Sequence, residues 1–230
     1  MKHVLIIFVF LVLSIDISAQ TQRHEFGFAA GGSYYLGDIN HLKQFYKVQP
    51  AFGILYRYTQ NDFIAVKAQV LRLTLAADDA DFSYEYQTVR NASFKTNLIE
   101  TSGTCEYHFL PYNPSEGFKF APYISAGIAL NYADNLNNLT YFMAIPFGGG
   151  VKAALGKRFT LNVEWLFRNT MSDNLDDLKG NEANVDYPLH SSKQVTSINT
   201  NDWYSVAQFS LTYSFSTKKV WCPAYTKKKY

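Results

Sequence analysis

A chain of 230 residues with 47% hydrophobic and only 17% charged side chains has too much apolar surface and too little net charge to stay disordered. Its 21 basic and 19 acidic residues leave +2, without the surplus of a nucleic-acid binder, and two cysteines cannot build a Cys-rich metal site or a disulfide scaffold. The unusual figure is the aromatic content, 17 Tyr, 18 Phe and 3 Trp, with no apolar run of the roughly 20 residues a membrane helix needs. These features together point to β-structure in contact with lipid.

Lys2 and His3 lead into the unbroken apolar stretch Val4–Leu13, and Ile17-Ser18-Ala19 supplies small residues before Gln20. A charged start, a short apolar core and a small-residue cleavage site predict a signal peptide over residues 1–19. The competing membrane anchor is disfavoured because the stretch is too short to cross comfortably. The mature chain is expected to be exported.

From His24 onward the pattern has period two, which predicts strands. Eight alternating segments follow. In the first, Phe26, Phe28 and Tyr34 oppose Glu25, Gly27 and Ala29. In the second, Phe52, Ile54, Tyr56 and Tyr58 oppose Gly53, Leu55 and Arg57. Ile64, Val66, Ala68 and Val70 oppose Lys67 and Gln69 in the third. Ile99, Cys105, Tyr107 and Phe109 oppose Glu100, Glu106 and His108 in the fourth. The fifth sets Ile124, Ile128 and Leu130 against Tyr123, Gly127 and Asn131. The sixth sets Phe147, Val151 and Leu155 against Gly148, Gly150 and Lys152. The seventh sets Phe159, Leu161, Val163, Trp165 and Phe167 against Glu164 and Arg168. The eighth sets Trp203, Phe209, Leu211, Tyr213 and Phe215 against Tyr204, Gln208 and Thr212.

A soluble sandwich also alternates, but three features favour a membrane barrel. The segments run to roughly ten residues, suited to a tilted span. Links after the even segments are short or moderate (Thr59–Asp62, Leu110–Lys119, Gly156–Arg158), and those after the odd ones are longer (Gly37–Gln49, Thr74–Ala92, Tyr132–Ala144, Asn169–Asn201). Aromatics gather at the short-turn ends as an interfacial girdle. The expected fold is therefore all-β: an eight-stranded antiparallel transmembrane barrel over residues 24–215, with short periplasmic turns, long extracellular loops and both termini in the periplasm.

Eight strands leave a lumen just wide enough for side chains. Its expected lining includes Arg57, Lys67, Lys152 and Arg168 against Glu25, Glu100, Glu106 and Glu164. Equal numbers predict a paired network that plugs the barrel, since an unpaired buried charge is costly.

Residues 216–230 form a tail after the last apolar strand. Lys218, Lys219, Trp221, Cys222 and Tyr225 are candidates for docking a partner, because aromatics anchor interfaces and lysines steer acidic surfaces. Cys105 and Cys222 form a candidate disulfide; a free Cys222 attached to a partner is the other option. No catalytic, cofactor or metal constellation stands out. His190-Ser191 gives a faint hydrolase signal, and Asp173-Asn174-Leu175-Asp176-Asp177 lacks the full calcium-loop pattern. Gly37-Asp38-Ile39-Asn40 reads as a turn.

Several stretches, in their order along the chain, resemble the PorG-like outer-membrane barrels of the type IX secretion system of Bacteroidetes. They are Tyr35–Asn40, Pro50–Gly53 with Tyr56-Arg57-Tyr58, and Ile145–Gly148 with Gly150 and Lys152. Glu164 with Phe167-Arg168, Asp173 with Leu175-Asp176-Asp177, Asn201–Tyr204 and Cys222-Pro223 complete the set. Asn174 and Leu178-Lys179 depart from the expected pattern. The resemblance implies a non-enzymatic, cofactor-free component surrounded by outer-membrane lipid, contacting a periplasmic ring built from a PorK-like lipoprotein and a PorN-like partner. Nucleic acid is not an expected partner. The alternatives are a small adhesin-like barrel acting through its outer loops and a lipid A-modifying hydrolase.

Overall fold

The computed structural model describes residues 23–37, 40, 43–82, 93–113, 119–135, 138–156, 158–171 and 203–216. Eight strands follow in chain order: β1 (Arg23–Leu36), β2 (Gln49–Thr59), β3 (Ile64–Asp78), β4 (Ser93–His108), β5 (Phe120–Asn135), β6 (Asn138–Leu155), β7 (Phe159–Thr170) and β8 (Trp203–Ser216). Each pairs antiparallel with the next, and β1 pairs with β8, so the sheet closes as a barrel with no free edge. The fold is the eight-stranded antiparallel barrel that the alternation implies.

The register fixes the geometry. From His108 the pairing runs through Tyr123, Gly150, Glu164, Gln208, Gly31, Ala51 and Leu73, and returns to β4 at Leu98. One circuit therefore shifts the strand by ten residues (108 − 98 = 10). Such a stagger tilts eight strands by about 40° and leaves an interior the size of side chains.

Phase follows from closure. Inward positions are tightly covered; outward ones carry large exposed apolar residues, including Phe28 at 69%, Phe52 at 60%, Ile128 at 65% and Phe209 at 62%. An apolar exterior wrapping the whole ring is far larger than the patches a water-soluble monomer tolerates. Along β4 the outward face is apolar or aromatic near Tyr107 and turns polar at Asn97, ten residues away (107 − 97 = 10). At a rise of about 3.3 Å and a tilt of about 40°, that spans roughly 25 Å, the height of an outer-membrane barrel's apolar band. Tyr107, Phe109, Phe120, Phe159 and Phe215 ring the short-turn end, all exposed. The chain is an outer-membrane β-barrel.

Three strands outrun the sequence expectation. β3 continues past Val70 to Asp78, and β5 and β6 extend to Asn135 and back from Asn138, so most of Tyr132–Ala144 is strand and not loop. Between β3 and β4, Asp78 caps a single 3-10 turn over Asp79–Asp81 by accepting from the Ala80 amide at 3.0 Å.

Candidate functional site: the lumen and its two ends

Alternation delivers all eight expected charges to the inside, each no more than 1% exposed. They form two groups. At the short-turn half, Glu106 is the hub. Arg57 Nε lies 3.0 Å from it, Lys152 Nζ 2.5 Å and Lys67 Nζ 3.9 Å. Arg57 also reaches Glu25 at 3.0 Å, and Lys67 donates to both Glu164 oxygens at 2.6 Å. Three acids thus face three bases. Higher up, Arg168 grips Glu100 with two donors, at 2.9 and 3.1 Å, and Tyr204 donates to the same carboxylate at 2.7 Å. Two-donor pairing and the added hydroxyl offset the cost of removing both charges from water.

Neutral groups complete the network. Tyr123 donates to Glu164 at 2.6 Å, Gln208 to Glu164 at 2.8 Å, and Thr212 to Glu25 at 3.1 Å. His108 Nε2 accepts from Lys152 at 2.6 Å. The Tyr123 ring fits because Gly150 faces it: a Cβ on Gly150 would lie 2.7 Å from the Tyr123 hydroxyl. Tyr123, Tyr204, Gln69 and Gln208 were legible only as inward positions; their bonding roles depend on partners one to four strands away.

Other inward positions carry small polar residues such as Ser102, Thr104 and Ser125, and an apolar cluster joins them. Leu71, Leu73, Leu75, Leu98, Ala133 and Phe142 pack together on the long-loop half. The interior thus sets an apolar cluster beside the Arg168–Glu100 pair, above the group of three acids and three bases, whereas sequence alone anticipated mainly charge and small residues.

At the short-turn end the link after β4 tucks back, so that Tyr112 is 2% exposed, its hydroxyl 2.7 Å from Thr160 Oγ1 and its ring 5.7 Å beneath the Arg23 guanidinium. Burial pushes the Tyr112 phenol up to about 12, so this plug residue keeps its proton. Tyr112 and Asn113 are both buried, so the link Leu110–Lys119 does not present these two side chains to a partner.

At the other end, residues 43–48 strap the outside of the barrel. Tyr34 donates to Gln44 at 2.7 Å, and Phe45 stacks on the outward Trp165 at 5.4 Å. Phe45 and Lys47 hold positive φ values of 58° and 44°, a left-handed conformation that costs a side-chain-bearing residue about 1–2 kcal/mol. Lys47 is fixed by Asp78 at 3.1 Å and Asp81 at 2.7 Å, and Tyr46 donates to Asp81 at 2.6 Å. The Lys47 ammonium, then the Tyr46 hydroxyl, hold the Asp81 carboxyl below the usual range. Buried Asn40 staples the base of this loop, donating to the Tyr35 and Lys43 carbonyls at 2.9 and 2.8 Å.

Residues 2–224 fit the family described as Domain of unknown function (DUF6089). The chain belongs to the DUF6089 family. No curated protein matches it. Among solved structures, Neisserial surface protein A is 14% identical with a TM-score of 0.49, covering 86% of this chain and 98% of that one. The N-terminal β-barrel domain of Pseudomonas aeruginosa OprF is 14% identical with a TM-score of 0.46, over 85% and 98%. Ail, the attachment invasion locus protein of Yersinia pestis, is 12% identical with a TM-score of 0.42, over 85% and 99%.

In this DUF6089 barrel, Cys105 is exposed on the outward face. Cys222, its candidate partner, lies outside the described residues, as do Lys218, Lys219, Trp221 and Tyr225, the pair His190-Ser191 and the acidic segment Asp173–Asp177. Among the described residues, no group of three or more His, Cys, Asp or Glu is placed to hold a metal ion.

Proposed function

We propose that this barrel is a non-enzymatic, non-conducting outer-membrane scaffold that works through its ends. One observation carries this: the lumen is filled by three paired acids and bases, a separate Arg168–Glu100 pair and an apolar plug. A protein that spends its interior on neutralised charge has only surfaces left to act with. The short-turn end, where Arg23 and Ser216 pair, faces the periplasm in this proposal, after removal of residues 1–19.

The specific assignment is a component of the type IX secretion machinery, with the tail 216–230 contacting a periplasmic ring of PorK-like and PorN-like proteins. Its support is the ordered set of family-like stretches. Several of their residues, Arg57, Lys152, Glu164 and Arg168, are lumen groups here, so they speak for a shared barrel more than for a shared partner. A second assignment, an adhesin-like barrel acting outward, is favoured by the strapped long-loop end, where Phe45, Tyr46 and Lys47 are locked into a fixed surface.

Crosslinking in intact cells, with mass-spectrometric identification of neighbours, separates the two. Secretion-ring proteins should be captured by the full chain and lost on deletion of 216–230, with the barrel still inserted. Unchanged capture after the deletion contradicts tail docking. Loss of surface attachment on replacing 172–202 with a short turn, with secretion intact, favours the adhesin.

A further inference from the structure

We propose that the outer flank of the β3–β4 hairpin binds the phosphate of a lipid headgroup through Arg72 and Lys95. The described outward side chains of the eight strands include three charges: Arg72, Asp78 and Lys95. Asp78 is bound by Lys47. Arg72 and Lys95 are exposed, and neither has an acidic partner among the described residues. A cation on the lipid face is costly at mid-membrane and tolerated near the headgroups, where a lipid phosphate can pair with both.

Their placement fits one molecule. Arg72 pairs with Ile99 and Lys95 with Ala76, so they stand four residues apart on one hairpin (76 − 72 = 4), about 13 Å along the strand. Thr74 and Asn97 lie between them, hydrogen-bonded at 2.9 Å. Both cations have long flexible stems that can lean toward a shared anion and rise to the interface. Ile99 lies beside Arg72, and below them the same flank continues apolar with Val70 and Val66, each of the three 42–48% exposed. Cation, polar step and apolar slope reproduce the profile of a phosphorylated amphiphile lying against the wall. Arg is suited to phosphate because its planar fork can offer two donors at once. The opposite rim differs: the outward aromatics Tyr107, Phe109, Phe120 and Phe215 dominate it.

The source of the phosphate is either an outer-leaflet glycolipid or an anionic phospholipid. The site depends on the barrel standing in a membrane and is independent of what docks at its ends.

The full chain is placed in phosphatidylcholine nanodiscs doped with a small fraction of diphosphoryl lipid A or, in a second arm, of phosphatidylglycerol. Retained lipid is counted by native mass spectrometry. The wild type should enrich the doped lipid in at least one arm, and the preferred arm names the source. Arg72→Gln with Lys95→Gln should cut retention by about fivefold per cation. Lys119→Gln, at the short-turn end, should leave it unchanged. Circular dichroism confirms that each variant is folded. Equal retention by wild type and double variant in both arms overturns the site. So does an equal loss from Lys119→Gln, which would mean that any surface cation suffices.

Discussion

Glu106→Ala should lower the unfolding free energy of the inserted barrel by about 3–5 kcal/mol, the usual cost of breaking a buried ion pair by removing one partner. Glu106 touches Arg57, Lys67 and Lys152. Without it, Arg57 keeps Glu25 and Lys67 keeps Glu164, but Lys152 is left with no carboxylate, only the His108 nitrogen and the faces of the Tyr112 and Tyr123 rings. The large effect therefore comes from one stranded ammonium in a dry interior, and a second substitution can test that cause. Glu106→Leu combined with Lys152→Leu removes one acid and one base together, leaving two of each in the lower cluster, and should cost much less than the single change. Denaturant titration in lipid vesicles, followed by tryptophan fluorescence, reads both. A single-variant loss below about 1 kcal/mol would mean that water reaches the cluster.

Gly27→Ala combined with Gly31→Ala should prevent most of the chain from closing. A Cβ on Gly27 would lie 2.2 Å from the Leu211 carbonyl oxygen, and one on Gly31 2.1 Å from that of Ala207. Both obstacles are backbone atoms of β8, which cannot swing aside, and the β1–β8 pair is the seam that joins the ends of the sheet. Overpacking of this kind typically costs about 1–3 kcal/mol per site, and here it falls on the pairing that makes the barrel. Gly103→Ala is the control, since its Cβ meets nothing within 4 Å. Electrophoresis of unheated against heated samples should show the compact folded band for Gly103→Ala and little of it for the double variant. Normal folding of the double variant would show that the seam is looser than the register implies.

Strand number, face assignment and the inward set of charges were legible because closure enforces period two: every second side chain meets either lipid or lumen. The ends of β3, β5 and β6 were harder to read for a physical reason. Past Val70 the phase continues but polarity inverts. Leu71, Leu73 and Leu75 point inward to the apolar plug, while Arg72 and Thr74 point outward at the level where hydrocarbon ends. In β5 and β6, outward Tyr132, Tyr141 and Met143 are as apolar as inward Ala133, Phe142 and Ala144, so contrast vanishes. Which acid pairs with which base was invisible, because Lys67 and Glu164 lie 97 residues apart and meet only across the closed lumen. The inward tuck of Tyr112 was hidden likewise, since nothing local marks a turn that folds into its own barrel.

Planar-bilayer recording of the purified full chain tests the central claim most directly. A lumen sealed by neutralised charges and packed leucines should leave the membrane silent across the voltage range. Steady, large, stepwise currents from the wild-type protein would show an open path where ion pairs and apolar side chains are placed, and would contradict a barrel that acts only through its surfaces.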